Sequence, residues 1–285
     1  MRHQGTKARR HEGERQRSST TLRASVPSCL RASSYDLPRL RAALKPFRLH
    51  WFPRLGSTNT HAAELRRRGE LFAPAVVLAG RQTAGRGRGA HVWWSGPGCV
   101  TVTFVLPMID HVQPHQLPLV AGVAVRNAAA RLSGNDGIQL KWPNDLLYDG
   151  RKLAGLLCER VEKADLVGLG LNVNLDPSAA PAPLRERVTS LSTIAGRALD
   201  LTDALAAVAS ELRRTIEQQA DRPFPLLLRE YDAHHALVGR TVSVVDGADS
   251  VAVTGKCEGL DEMGRLLLRS KSQVHRILSG HVQSL

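Results

Sequence analysis

Apolar residues at helical spacing alternate with short apolar runs along most of this chain. Leu117, Val120, Ala121, Ala124 and Ala128 recur every three to four positions and predict a helix over Pro114–Leu132. A second helix is expected at Thr58–Arg68, with Ser57 or Thr58 as its cap and Gly69 just past its end. Thr202–Gln219, with Thr202 placed to cap it, and Pro225–His234 predict two more, and a short helix near Leu37–Leu44 precedes the fold. Pro74–Gly80, Cys99–Leu106 and Ile138–Trp142 read as strands, and Lys152–Glu159 with Leu166–Asn174 as a buried strand pair. From Val238 onward, Val/Leu-rich strands alternate with turns at Asp246-Gly247 and Met263-Gly264, which predicts a small all-β module. Helices and strands without strict alternation make the main domain α+β.

Composition narrows the class. The chain has 285 residues, enough for one large and one small domain, and its 42% apolar content is that of a folded protein. It has no apolar run long enough for a transmembrane helix. The four cysteines, Cys29, Cys99, Cys158 and Cys257, form no CxxC pair and read as thiols of a reducing compartment, so a cytoplasmic location is expected. The formal charge of +13 is uneven: residues 1–50 hold 12 of the 39 Lys/Arg and only 3 of the 26 Asp/Glu. Residues 1–35, rich in Arg and Ser and poor in large apolar groups, are expected to be disordered. The remainder is mildly basic, which suits a cleft for anions.

Polar clusters mark the candidate chemistry. Gln82-Thr83-Ala84-Gly85-Arg86-Gly87-Arg88-Gly89 alternates glycine, which allows close backbone approach, with arginine, whose planar fork suits carboxylate and phosphate. It matches neither the P-loop nor the GxGxxG pattern, and alone it is equally a surface turn. Lys141-Trp142-Pro143-Asn144-Asp145 ends a strand; Asn144 can bond a base or ribose and Asp145 can hold Mg2+, or the segment is an ordinary turn. Lys152 either snorkels to water or floors a cleft beside Gly155. Gly168 and Gly170 mark a close approach of a ligand or tight packing. Ser57-Thr58-Asn59 supplies more polar groups than one helix cap uses.

In order, Ser-Thr-Asn, Gln-Thr-Ala-Gly-Arg-Gly-Arg, Lys-Trp-Pro-Asn-Asp, Arg-Lys-Leu-Ala-Gly and Gly-Leu-Gly-Leu-Asn-Val-Asn resemble the biotin–protein ligases, over about residues 47–285. The resemblance implies a catalytic α+β domain over 46–235, related to class II aminoacyl-tRNA synthetases and lipoate ligases. It implies a C-terminal SH3-like barrel over 236–285, behind a basic extension over 1–45. The implied reaction joins biotin and ATP into biotinyl-5′-AMP, with Mg2+ as cofactor, and passes biotin to a lysine of a biotin carboxyl carrier domain of acetyl-CoA carboxylase or a related enzyme. The protein would be a monomer or homodimer.

By the same resemblance, Ser57, Thr58, Asn59 and Gln82 surround biotin's ureido end, and Gly85, Arg86, Gly87 and Arg88 wrap its carboxylate and the phosphate. Lys152 is the catalytic cation, assisted by Arg86 and Arg88. Gly155, Leu157, Gly168 and Leu171 line the apolar slot. Trp93 packs on adenine, Lys141, Asn144 and Asn172 lie by the nucleotide, and Asp145 is the metal ligand. The family loop commonly runs Gly-Arg-Gly-Arg-x-Gly-Arg-x-Trp, whereas here Ala90 and His91 replace the last glycine and arginine. That departure is expected to leave the closed loop more dependent on Trp93 and to let the adenylate leak faster. Lipoate or octanoate ligases share the fold, but their Gly-Gly-Gly loop is missing. A biotin-responsive DNA-binding repressor would need a winged helix-turn-helix ahead of Ser57, where no such pattern is found.

Overall fold

The computed structural model describes Met1 and residues 34–245 and 252–284. Most of the expected disordered tail and the Asp246-Gly247 turn lie outside the described residues. Seven strands, β1 (Arg48–Phe52), β2 (Ala75–Ala79), β3 (Cys99–Pro107), β4 (Gln139–Lys141), β5 (Asp145–Tyr148), β6 (Arg151–Val161) and β7 (Ala164–Asn172), form one sheet in the order β1-β2-β3-β7-β6-β5-β4. Only β1 and β2 run parallel; the other pairs are antiparallel. β2 is buried at every position and reads as a continuous apolar run, while β7 is equally buried because Asn59 and Trp93 lie over its Gly168 and Gly170.

The helices are α1 (Leu37–Ala43), α2 (Thr58–Arg67), α3 (Leu117–Ser133), α4 (Leu191–Ala195), α5 (Leu201–Asp221) and α6 (Phe224–Ala233). α1, α3, α5 and α6 pack on one sheet face, where Val102, Phe104, Leu156, Leu169 and Leu171 meet Leu40, Val120, Leu205 and Tyr231. On the other face α2 covers only part of the sheet, through Ala62 and Ala63 against Ala75, Val77, Val105 and Leu166. The rest of that face is left open to a cleft.

Local chemistry explains several boundaries. Asp200, not Thr202, caps α5: its carboxylate accepts from the Thr202 and Asp203 amides at 2.7 and 3.1 Å. The Thr202 hydroxyl instead accepts from the Asp36 amide at 3.0 Å and ties down the start of α1, whose Leu40 is fully buried. β1 and β5 had no counterpart among the expected elements. The sequence does carry a signal for β5: Asp149 and Gly150, both at positive φ, make the two-residue hairpin turn between β5 and β6.

The C-terminal module is a five-stranded antiparallel sheet of β8 (Thr241–Val245), β9 (Val253–Leu260), β10 (Leu266–Ser270), β11 (Gln273–Ile277) and β12 (His281–Ser284), in the order β11-β10-β9-β8-β12. Its Met263-Gly264 turn docks on the main domain. The Met263 carbonyl accepts from Gln116 Nε2, and the Gly264 carbonyl accepts from Trp142 Nε1 at 3.1 Å. One apolar core is therefore continuous across both parts.

Candidate active site

The open sheet face floors a cleft of about 700 Å3, within the range of small-molecule sites. Its walls come from the start of α2, the 86–94 segment, the β4–β5 turn, β6, β7 and the C-terminal sheet. Sheet pleating selects the floor. Gly155 pairs with Gly170, and Leu157 with Gly168, so these side-chain positions share one face. Leu171 has the opposite parity; it is fully buried in the helix-side core and does not line the slot. Its expected place in the slot is therefore corrected.

Ser57 caps α2, with its hydroxyl accepting from the Thr60 amide at 3.4 Å. Thr58 and Asn59 have other work. The Thr58 amide and hydroxyl both donate to Gln82 Oε1, at 2.7 and 3.0 Å, joining α2 to the glycine-arginine segment. Asn59 donates to the Leu157 carbonyl and to Glu159, each at 2.9 Å, and its Oδ1 accepts from the buried Thr103 hydroxyl at 2.6 Å. A Cβ on Gly168 would overlap the Asn59 carboxamide, and one on Gly170 would overlap the Trp93 ring. The two glycines thus admit groups lying flat on the sheet.

The glycine-arginine segment is a hairpin. The Gly87 amide donates to the His91 carbonyl at 2.8 Å and the Trp93 amide to the Gly85 carbonyl at 2.9 Å, with Gly89 turning the tip at φ 61°. Gly85 therefore anchors the hairpin base and does not line the main cleft, as had been expected. Arg86 bonds Glu159 at 2.9 Å. Arg88 reaches the other way, donating to the Gly280 carbonyl at 2.7 Å. The Trp93 indole lies over the floor with its Nε1 buried and unpartnered, and the Lys152 ammonium is 5.8 Å from its ring centre.

Lys152 pairs with Asp145 across β5 and β6 at 2.7 Å. Burial lowers the Lys141 ammonium below its ordinary range; Lys152 acts in the same sense and Asp145 against it. Two cations share one carboxylate, so the floor attracts anions. Asn144 donates to the Leu156 carbonyl at 2.7 Å. Asn172, 2% exposed, donates to the Thr189 and Lys152 carbonyls and accepts from Cys99. Burial pushes the Cys99 thiol up to about 12, so it stays protonated as that donor.

Among the described residues no three His, Cys, Asp or Glu side chains cluster to hold a metal ion. Asp145 alone faces the cleft, which fits a magnesium ion carried by nucleotide phosphates, an arrangement needing only one or two protein carboxylates. Sequence reasoning missed the module's Val245, Gly280, His281, Val282 and Gln283 on the cleft wall, and Glu159 and Thr103 behind it, which hold Asn59 and Arg86. Glu159 lies four residues beyond Gly155 and two beyond Leu157 on β6, so the strand's alternation from those positions was a usable signal for it. The module residues carried no such signal.

Sheet, hairpin cover and cationic floor define a small-molecule-binding α+β domain closed from one side by a β module. Residues 51–176 match the biotin/lipoate A/B protein ligase family and residues 237–283 the biotin protein ligase C-terminal domain. A biotin–[acetyl-CoA-carboxylase] ligase of Paracoccus denitrificans is 32% identical over 224 residues, covering 76% of this chain and 92% of that protein. One of Mycobacterium tuberculosis is 31% identical over 236 residues, covering 81% and 86%. The biotin protein ligase of Aquifex aeolicus, solved with biotin and ATP, superposes with a TM-score of 0.74 at 28% identity, over 83% of this chain and 97% of that one. The chain belongs to the biotin protein ligase family.

Proposed function

We propose that this chain activates biotin with ATP to biotinyl-5′-AMP and transfers the biotinyl group to one lysine of a carboxyl carrier domain; two of its relatives are named biotin–[acetyl-CoA-carboxylase] ligases. In the first step a biotin carboxylate oxygen bonds to the α-phosphorus and the bond to pyrophosphate breaks. In the second, the carrier amine attacks the acyl carbon and AMP leaves. Both partners of the first step are anions, so the main catalytic need is preorganised positive charge.

Lys152 is the central cation; its contact with Asp145 and the Trp93 ring supports that role. Arg86 and Arg88 close over carboxylate and phosphate: Arg86 exchanges Glu159 for the ligand, while Arg88 keeps Nη1 on the Gly280 carbonyl and turns its remaining donors to it. Ser57, Thr58 and Gln82 hold the ureido end against the fixed wall of Asn59, while Gly155, Leu157 and Gly168 shape the slot. Trp93 covers adenine, and its unpartnered Nε1 fits a ligand acceptor. Lys141 and Asn144 flank the nucleotide. Asn172 works by holding the Lys152 backbone in place. Asp145 would hold a magnesium ion carried by ATP, which would neutralise phosphate charge. The catalytic unit runs to about residue 235 and includes α1. Cytoplasmic location and a monomeric or homodimeric state belong to the same reading.

The observation that carries the proposal is the lysine–carboxylate pair under the arginine hairpin on a glycine floor. Biotin-dependent exchange of pyrophosphate into ATP tests it without a carrier. Lys152→Ala is expected to lower that exchange at least a hundredfold, about what one lost oxyanion contact costs, with an unchanged melting temperature. Retained exchange removes Lys152 from its role, and exchange driven by lipoate in place of biotin overturns the substrate assignment.

A further inference from the structure

The hairpin touches the β module at two points. Arg88 Nη1 donates to the Gly280 carbonyl at 2.7 Å, and the His91 ring lies 5.0 Å from the His281 ring at 32°. Gly280 is buried at φ 145°, and a Cβ there would run into Val244, so the entry into β12 is bent in a way that suits glycine. His91 itself is exposed on the outer strand of the hairpin.

We propose that His281 and the Gly280 carbonyl are positioning groups that latch the hairpin from the C-terminal module, through the His91 ring and Arg88. The hydrogen bond from Arg88 is charge-assisted and fixes the side of the hairpin nearest the cleft. The ring contact fixes the opposite strand of the hairpin, and ring pairs at such separations attract beyond their buried area. Burial holds the His281 imidazole below its ordinary range, reinforced by His91, Lys141 and Lys152 and opposed by Asp145, so the contact is between rings and needs no charge. Only the consequence, that the latch offsets the faster escape of biotinyl-AMP expected of this loop, rests on the ligase reading.

The test uses the full chain without ligand. Trypsin cuts after Arg86 and Arg88, and the rate of that cleavage, followed by mass spectrometry, reports opening of the hairpin. His91→Ala and His281→Ala are each expected to speed it about fivefold, the double variant no further, and His281→Phe is expected to restore it to within about twofold. Multiplying effects in the double variant, unchanged rates in the singles, or a Phe variant as fast as Ala overturns the latch. His91→Ala alters an exposed hairpin position and keeps the test open if His281→Ala unfolds the module. Biotinyl-AMP release is measured in parallel. A wild-type protein that forms no adenylate overturns the ligase reading, while the cleavage rates still decide the latch.

Discussion

At the scale of single residues, the site is shaped by side chains that hold one another rather than waiting for ligand. Asn59 uses both amide hydrogens and its oxygen on Leu157, Glu159 and Thr103. It is a fixed wall, and Gly168 is the space it occupies. Gly168→Ala forces that wall to move. Overpacking of this kind costs about 1–3 kcal/mol, and the expected outcome is a KM for biotin raised at least about tenfold, since about 1.4 kcal/mol is a factor of ten. Steady-state kinetics at varied biotin check this, and an unchanged KM shows that Asn59 does not border biotin. The glycines, arginines and lysine of this site were legible from their residue types and order. The full occupation of Asn59 and Asn172 was not, because their partners lie many positions away on strands whose register only the fold fixes.

At the scale of elements, caps and turns decide where the scaffold begins and ends. Burial raises the Asp200 carboxyl, but the Asp203 and Thr202 amides and Arg39 outweigh it and leave it below the usual range. A carboxyl depressed in the fold stabilises above its unfolded value and loses that contribution as pH falls through the folded one. Asp200→Ala is therefore expected to cost about 1 kcal/mol at neutral pH, mostly from the cap, because the Arg39 pair at 2.8 Å is well exposed. The difference from wild type should shrink in acid, as pH falls through the depressed folded value. Urea melts at both pH values measure it; an equal difference at each contradicts the cap. Helices with clear 3.6-residue spacing were legible within a few positions. β1 was not, since Arg48–Phe52 is a half-exposed edge strand without alternation. The β6–β7 turn, Glu162-Lys163, has both residues at positive φ but carries neither Asn nor Gly to announce it.

At the scale of the whole molecule, the β module is part of the site. Trp142, 2% exposed, belongs to the Lys-Trp-Pro-Asn-Asp motif yet bonds the Gly264 carbonyl of the module. One motif therefore sets the β4–β5 wall and the docking of the second sheet. Trp142→Phe removes that hydrogen bond at a cost of about 1 kcal/mol or more. Amides of β10 are expected to exchange faster while those of β3 keep their protection; uniform acceleration contradicts a local docking role. The alternation of short strands after Val238 made the module legible as a unit. Its position against the cleft was not, because docking depends on the Met263-Gly264 turn meeting α3 and Trp142 in space.

All three scales converge on transfer of biotin to a protein lysine, and intact-mass analysis of an unmodified biotin carboxyl carrier domain tests that most directly. Incubated with this protein, biotin and MgATP, the carrier is predicted to gain one biotinyl group on a single lysine, and none when ATP is left out or Lys152 is replaced by alanine. A carrier that stays unmodified beside the active wild-type chain, or one that accepts lipoate instead, contradicts the account.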